Sequence, residues 1–586
     1  MKPAELGKTV PLDEPMAPAQ QCSAVADEGA GDTLASMARG SWVVAAWTLV
    51  GRITGFGRLA ITAAVLGPTY FGNLFQFTSA MPFLIYRLLS GSLVPAMLVP
   101  PLVGCIDNHD QAGARRLANG FLGTIMAVML VVGVLGVLGA PLALWAMTAA
   151  VQDGEVRREQ LRLGWPLMAM VLPQLLFYAI SGVCAAVQQA RGRFALPAVA
   201  TAVENVGVIA VIGASALLYG TGTEIRDVSN GQILLLGLGA TAAVGLCAAL
   251  QWRGACRAGL CLIPFPGWRD PDIRRMFKMG ASSVGYTSLS NAAFFGMLTI
   301  AGSAPGGVAA FQIAYSFVQL PSALIALPLA QVQLPQLSRY FREGMLREFG
   351  ATYRSAVSLV LFAMLPASLL LVTIPETFAQ AAAFGAMASP AGVSLTAACV
   401  AGMGLSALGE AVILVGTWAS YARRDAVSPL LAMTLLLAVS IAGMVLARTV
   451  VDPPTMVWTL GASCSAASTV AGLYLHSRQI RSLLLGAGHD VRTGAANLLT
   501  AAVAMVPAWL FVHRVAGVGG GPWGGLEVAS VATLAAGVTY LTLRFALGSE
   551  EIALLLPLLA KLRQGLRQRR DPRATAPPRM PVDTRP

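Results

Sequence analysis

From Trp42 onward the chain alternates between apolar runs of helix-spanning length and short polar connections. A helix needs about 20 mainly apolar residues to cross the hydrocarbon core of a bilayer. Runs of that kind fall at 42–66, 74–102, 118–147, 164–187, 196–218, 233–252, 276–301 and 308–334. Six more follow at 356–374, 393–418, 430–446, 456–474, 495–512 and 528–547. Isolated strands would leave backbone groups unpaired in lipid, so each run is expected to be a helix. The fold class expected is an all-α polytopic membrane protein with about fourteen transmembrane helices.

A short repeat divides these helices. Ala190 and Arg191 with Pro197 mark the connection between the fourth and fifth runs, and Ala422 and Arg423 with Pro429 mark that between the tenth and eleventh. Equal spacing at matching places predicts two six-helix lobes plus two C-terminal helices, a build common in secondary transporters with a site between the lobes. The expected organisation is an N-terminal arm over 1–40, an N-lobe over 41–220 and the sixth helix with an inter-lobe connection over 221–275. A C-lobe over 276–475, two further helices over 494–548 and a basic tail over 549–586 complete it.

Composition agrees with immersion in lipid: hydrophobic residues make up 56% of the chain and charged ones 12%, with a mean hydropathy of +0.67. The net charge of +12 does not point to nucleic acid, because the basic residues lie in short clusters between apolar runs. Counted on alternate connections, arginine and lysine crowd one side (Arg115, Arg116, Arg191, Arg193, Arg253, Arg257, Arg274, Arg275 and others). The opposite side has only Arg157, Arg158, Arg162, Arg226, Arg448 and Arg514. The crowded side is expected to be cytoplasmic, and an even number of crossings puts both termini there. The first 38 or so residues are polar and acidic and lack the order of a signal peptide. The Arg- and Pro-rich end suits an anionic inner leaflet or simply fixes topology. Eight scattered cysteines show neither a disulfide framework nor metal-ligand spacing, and the four histidines fall near loops or helix ends.

Charged residues inside the apolar runs carry the candidate chemistry. Arg52 and Arg58 lie in the first run and Arg87 in the second, where an arginine at a helix centre costs about 2.5–3.5 kcal/mol even on a lenient scale. They are expected to face water or an anion, forming a cationic cavity for a phosphate-bearing headgroup. The competing reading has them snorkel to the interface or pair with internal carboxylates. Arg52 and Arg58, six residues apart, would share a face only if the helix bends, with Gly51, Gly55 and Gly57 as weak points. Glu204 and Glu410 are candidates for a coupling ion, Na+ or H+, or for pairing with an arginine. Gln312 and Gln319 are expected to hydrogen-bond between helices. Prolines at 82, 95, 100 and 101 and at 321, 328 and 335 predict kinks. No constellation of nucleophile, base and metal suggests an enzyme.

The stretches Arg52-Ile53-Thr54-Gly55-Phe56-Gly57-Arg58 with Gly67, and Met81-Pro82 to Leu98-Val99-Pro100, set a recognisable pattern. It continues through Arg191-Gly192-Arg193-Phe194-Ala195-Leu196-Pro197 with Asn205, Gln319-Leu320-Pro321 to Ser338, and Tyr421-Ala422-Arg423-Arg424-Asp425 with Pro429. In this order, over about 42–547, the set resembles the MurJ/MviN family of lipid II flippases, of the multidrug/oligosaccharidyl-lipid/polysaccharide exporter superfamily. The resemblance implies a two-lobed flippase of the bacterial cytoplasmic membrane that moves an undecaprenyl-pyrophosphate-linked glycan to the outer leaflet for peptidoglycan synthesis. Arg52, Arg58 and Arg87 match the family's arginines in the first two helices.

The chain departs from that pattern at several places. Asn73 stands for an aspartate, Tyr86 for an arginine, Gly91 for an acid, Tyr315 and Ser316 for an Asp-Arg pair, and Gln319 for a glutamate. Arg52, Arg58, Arg87, Asn73, Tyr86, Ser316 and Gln319 are the substrate-binding candidates. The partners implied are a lipid-linked glycan, membrane lipids and cell-wall synthesis proteins, with no cofactor beyond a coupling ion. Because one arginine is missing from each lobe, two other functions stay open: a non-transporting scaffold in envelope assembly, and an exporter of another amphipathic substrate.

Overall fold

The computed structural model describes residues 47, 49–89, 93–149, 151–483, 488–515, 522–549 and 551–552. The expected N-terminal arm, Gly91 and most of the basic tail lie outside the described residues. The described residues are almost all helical. The first half holds α1 (Leu49–Leu66), α2 (Tyr70–Leu89), α3 (Leu93–Asp107), α4 (Gln111–Thr148), α5 (Gly154–Val171), α6 (Gln174–Ala190), α7 (Ala195–Tyr219) and α8 (Asn230–Arg257). The second holds α9 (Pro271–Ala301), α10 (Gly307–Pro321), α11 (Leu327–Arg342), α12 (Leu346–Thr373), α13 (Pro375–Ala382), α14 (Pro390–Met403), α15 (Ser406–Ala422), α16 (Val427–Ala447) and α17 (Pro453–Ser482). Two more, α18 (Gly488–Val515) and α19 (Pro522–Ala546), follow.

Local chemistry sets many of these boundaries. Asp110, Asp153, Ser229, Asp270, Ser389 and Asp452 each accept a hydrogen bond from a backbone N–H in the first turn of the helix that follows, satisfying donors that have no partner within the helix. Pro271, Pro375, Pro390 and Pro453 occupy first helical positions, where a missing N–H costs nothing.

Eleven stretches among the described residues are long and apolar enough to cross a membrane: α1, α4, α5–α6, α7, α8, α12, α14–α15, α16, α17, α18 and α19. Their outer faces carry large apolar side chains such as Leu138, Leu142 and Leu217, as lipid contact requires. The expected spans at 74–102, 276–301 and 308–334 are also helical, as α2–α3, α9 and α10–α11, but they are not among the eleven. Helices α3, α10 and α11 are each shorter than a full crossing, whereas α2 and α9 are long enough but more polar, and α2, α9 and α10 pack on one another where the two halves meet.

The repeat seen in the sequence extends to packing. In the first half α8 packs on α6 and α7, α3 on α4 and α6, and α2 on α5. In the second half α17 packs on α15 and α16, α11 on α12 and α15, and α10 on α14. The turns at the two Ala-Arg pairs are built alike. The N–H groups of Arg193 and Asp425 reach back to the carbonyls of Gln188 and Ser420, and Gly192 and Arg424 take left-handed φ values of 69° and 60°. Glycine reaches that conformation freely, whereas Arg424 is strained there. The helix pair α18 and α19 packs on α12.

One expectation needs correction. Cys256 and Cys261 form a disulfide, although their spacing suggested none. The chain turns back after α8, with Gly259 at φ 88° and the Leu260 N–H bonded to the Ala255 carbonyl, so the two Cα atoms lie 4.0 Å apart. The kink at Pro321 takes the form of a π-helical turn over Ser322–Ala326 between α10 and α11.

Candidate functional site

The arginine-poor connections gather at one end of the helices and the arginine-rich ones at the other. At the arginine-poor end the two halves are in close contact. Asn73, fully buried at the start of α2, donates to the carbonyls of Gly302 (3.2 Å) and Ala304 (2.6 Å) and accepts from the Val308 N–H (3.1 Å). One side chain from the first half thus satisfies three backbone groups of the α9–α10 turn. Nearby, a side chain at Gly306 or Gly385 would collide with Pro68 or Ala64, so the backbones approach as closely as glycine permits.

Away from this seal, four helices bring a connected set of side chains together. Asn205 of α7 donates to the Gly51 carbonyl (3.3 Å) and the Thr54 hydroxyl (3.2 Å) of α1. Beside that contact Arg58 lies 3.7 Å from Glu204, and Tyr178 of α6 donates to the same carboxylate at 3.0 Å. The Tyr178 ring stacks on Tyr86 of α2 (centroids 5.8 Å apart) and meets the edge of Phe83 (5.7 Å). Arg87 in turn lies over the Phe83 ring at 5.8 Å, a cation–π contact.

Arg58 and Arg87 are therefore the two ends of one polar and aromatic chain. The Arg58 side chain is still 42% exposed, and its long bond to Glu204 leaves guanidinium donors free. Arg52 is exposed and has no side-chain partner among the described residues. Arg52 and Arg58 point to different sides of α1. Helix α1 runs unbroken through Gly51, Gly55 and Gly57, and six residues at about 100° each leave the two side chains roughly 120° apart around the helix axis.

The face of α10 is neutral. Gln319 donates to the Tyr315 hydroxyl one turn away and the Ser316 hydroxyl donates to the Gln312 backbone carbonyl, so Gln319 bonds within its own helix and not between helices as the sequence suggested, while the buried Gln312 Nε2 has no hydrogen-bond partner among the described residues. Phe317 on the same helix contacts Phe56 of α1 (5.4 Å) and Phe378 of α13 (5.4 Å). Glu410 of α15 is half-buried and has no ionic partner among the described residues. It stands thirteen residues before Arg423, where the first half has Tyr178 before Arg191. The two halves thus place a carboxylate and a phenol at matching positions.

Of the predicted site residues, Arg58, Glu204, Tyr86 and Arg87 are brought together. Ser316 and Gln319 lie on the facing half, and Asn73 sits at the seal. Sequence reasoning missed Tyr178, the residue that joins Glu204 to Tyr86. Its only signal was a phenol within an apolar run, and its partners lie on two other helices.

Comparisons with known proteins agree with this architecture. The sequence pattern of a family described as "Lipid II flippase MurJ" matches residues 62–520, well over half of the chain. Two relatives, each described as a probable lipid II flippase MurJ, come from Rhizobium tropici and Rhizobium meliloti (strain 1021). They are 23% identical over 395 and 398 residues, covering 67% of this chain and 72% of each relative. Among solved structures, a lipid II flippase MurJ in an inward closed conformation superposes with a TM-score of 0.65 at 15% identity, covering 86% of this chain and 99% of that one. An inward-facing multidrug resistance MATE family transporter of the MOP superfamily superposes at 0.57 and 12% identity, covering 75% and 98%. These likenesses show a shared fold.

Proposed function

The chain belongs to the lipid II flippase MurJ family, and from that premise we propose that it carries lipid II, or a related polyprenyl-pyrophosphate-linked glycan, across the bacterial inner membrane by alternating access. The observation that carries the reading is the disposition of Arg52, Arg58 and Arg87. All three lie on α1 and α2, helices of the interface between the halves, and Asn73 seals that interface at the opposite end.

A pyrophosphate needs cations that are not already spent. Arg52 has no side-chain partner among the described residues, Arg87 rests on a ring, and Arg58 shares one carboxylate with Tyr178. The Arg58–Glu204 contact, at 3.7 Å, is longer than a hydrogen bond, so a headgroup phosphate that accepts short charge-assisted bonds can draw Arg58 from Glu204. The neutral α10 face, with Tyr315, Ser316 and Gln319, suits the uncharged hydroxyls and amides of the glycan. No covalent step enters this reading. Glu410 is the carboxylate available to a coupling cation, Na+ or H+.

In this reading the arginine-rich end is cytoplasmic, fourteen crossings put both termini there, and the sealed end faces outward. Substrate enters from the arginine-rich side, and opening of the Asn73 contact releases it outward. The test is rescue of cells depleted of their own lipid II flippase. The wild-type chain is expected to restore growth, with loss of rescue in Arg58→Ala and in the Arg52→Ala/Arg58→Ala pair at unchanged membrane level. Full rescue by the double variant would overturn the assignment.

A further inference from the structure

Away from the arginine chain, at the arginine-poor end, a crevice of about 540 Å³ opens between the two halves, within the roughly 300–1,000 Å³ of ligand sites. Its apolar wall includes Trp145 of α4, Phe295 and Ile300 of α9 and Met444 of α16, and its polar residues include Arg157 of α5 and Arg448 just after α16. Trp145 is 53% exposed, so the crevice opens outward, toward lipid. At Gly296 in its floor the absent side chain leaves room for the Met444 thioether.

The two arginines lack counter-charges. The acids near Arg157 are engaged elsewhere: Asp153 and Glu155 pair with Arg226 at 3.2 and 2.9 Å, and Glu159 pairs with Arg162 at 2.7 Å. No acidic residue lines the crevice, and neither Arg157 nor Arg448 has a side-chain partner among the described residues. Arg448 follows the C-terminus of α16, where the helix dipole favours a cation. Arg157 lies in the first turn of α5, where the dipole disfavours one. Two uncompensated guanidiniums beside an apolar slot at a membrane interface form a complementary surface for a phosphate bearing hydrocarbon.

We propose that this crevice binds an anionic glycerophospholipid, its phosphate held by Arg157 and Arg448 and an acyl chain lying along Trp145, Phe295, Ile300 and Met444. Because α4 and α5 supply one wall and α9 and α16 the other, the lipid bridges the halves and favours the state in which this end is closed. The proposal stands on membrane embedding alone and does not depend on the transported substrate.

The experiment uses the full-length protein in phospholipid vesicles, reading the tryptophan emission that Trp145→Phe removes. Brominated phosphatidylglycerol is expected to quench this component more than brominated phosphatidylcholine at equal mole fraction. The excess is expected to be lost in Arg157→Gln/Arg448→Gln and restored in Arg157→Lys/Arg448→Lys. Should the double glutamine variant fail to fold, Arg448→Gln alone, at an exposed helix end, carries the same comparison. Equal quenching by the two lipids, or an excess that survives the glutamine changes, would reduce the crevice to ordinary lipid contact and overturn the proposal. Millimolar inorganic phosphate is expected to leave the quenching in place. Relief by phosphate would assign the site to a free anion and overturn the lipid.

Discussion

At the scale of single residues, Asn73 shows how amide chemistry differs from the carboxylate of the family pattern. Its nitrogen donates to two carbonyls and its oxygen accepts one N–H; an ionised carboxylate would keep only the last. Asn73→Asp is therefore expected to loosen the sealed end, and Asn73→Leu more so, at about 1–3 kcal/mol for each buried group left unpaired. A lower midpoint of thermal unfolding and faster labelling of a cysteine placed at Ala304 would register the change. An unchanged labelling rate would show that the amide does not hold the seal.

Asp425 offers a second residue-scale prediction, at the turn before α16. Partial burial alone would raise its carboxyl, but the Ser428 hydroxyl, the N–H groups of Ser428 and Val427, and Arg478 together hold it below the usual carboxylate range. A group with a depressed folded pKa adds stability above its unfolded value, near 3.9, and loses that stability as pH falls toward the folded value. Asp425→Asn is expected to flatten the acid limb of an unfolding curve below about pH 4, leaving the neutral limb unaffected by that titration.

At the scale of elements, the C-terminal helix pair carries a buried ion pair that the apolar pattern did not announce, and its carboxylate ties the pair to α12. Arg544 near the end of α19 bonds Glu551 at 2.6 Å with both side chains nearly inaccessible. Glu551 also accepts from Ser358 of α12 (2.8 Å) and Asn497 of α18 (3.1 Å). Removing one partner strands a charge. Glu551→Ala is expected to cost about 3–5 kcal/mol, whereas Arg544→Met/Glu551→Leu is expected to be close to neutral. Thermal unfolding of the two variants side by side checks the difference. Equal losses would mean that the pair acts by packing and not by charge.

Helix α9 shows an element serving both halves. It packs on α2, α3 and α4 of the first half and on α16 and α17 of the second. Its Phe277 stacks on Phe121 at 5.2 Å near the arginine-rich end. Before it, the inter-lobe connection lies along α4, with the Phe265 N–H bonded to the Asn119 carbonyl and the Gly267 N–H to the Thr124 hydroxyl. Gly120 and Gly123 make that groove, since a side chain at either would strike the strap.

At the scale of the whole molecule, transport requires that the sealed end open, and the contact between α4 and α9 offers a lock. A methyl at Gly302 would lie 3.0 Å from the Met147 side chain, and the backbone at Gly302 is ordinary right-handed helix. The pair Met147→Cys/Gly302→Cys is expected to cross-link on oxidation and abolish translocation of a lipid-linked glycan in vesicles, with recovery on reduction. Translocation that persists in the oxidised pair would contradict alternating access through this end.

What the linear chain determined is the set of facts that depend on near neighbours. Apolar runs of spanning length demand helices because lipid offers the backbone no other partner, and arginines within those runs demand an explanation because desolvated charge is expensive. The paired Ala-Arg turns exposed the duplication because each is closed by residues five positions apart. Only the tertiary structure decided how those costs are met. Glu204 went to Arg58 and Tyr178, Asn73 went to the seal, and Arg157 and Arg448 came to share one crevice, since each outcome sets side chains from different helices against one another. Such meetings are fixed by helix packing in three dimensions, where residues hundreds of positions apart become neighbours and no local periodicity records which of them will touch.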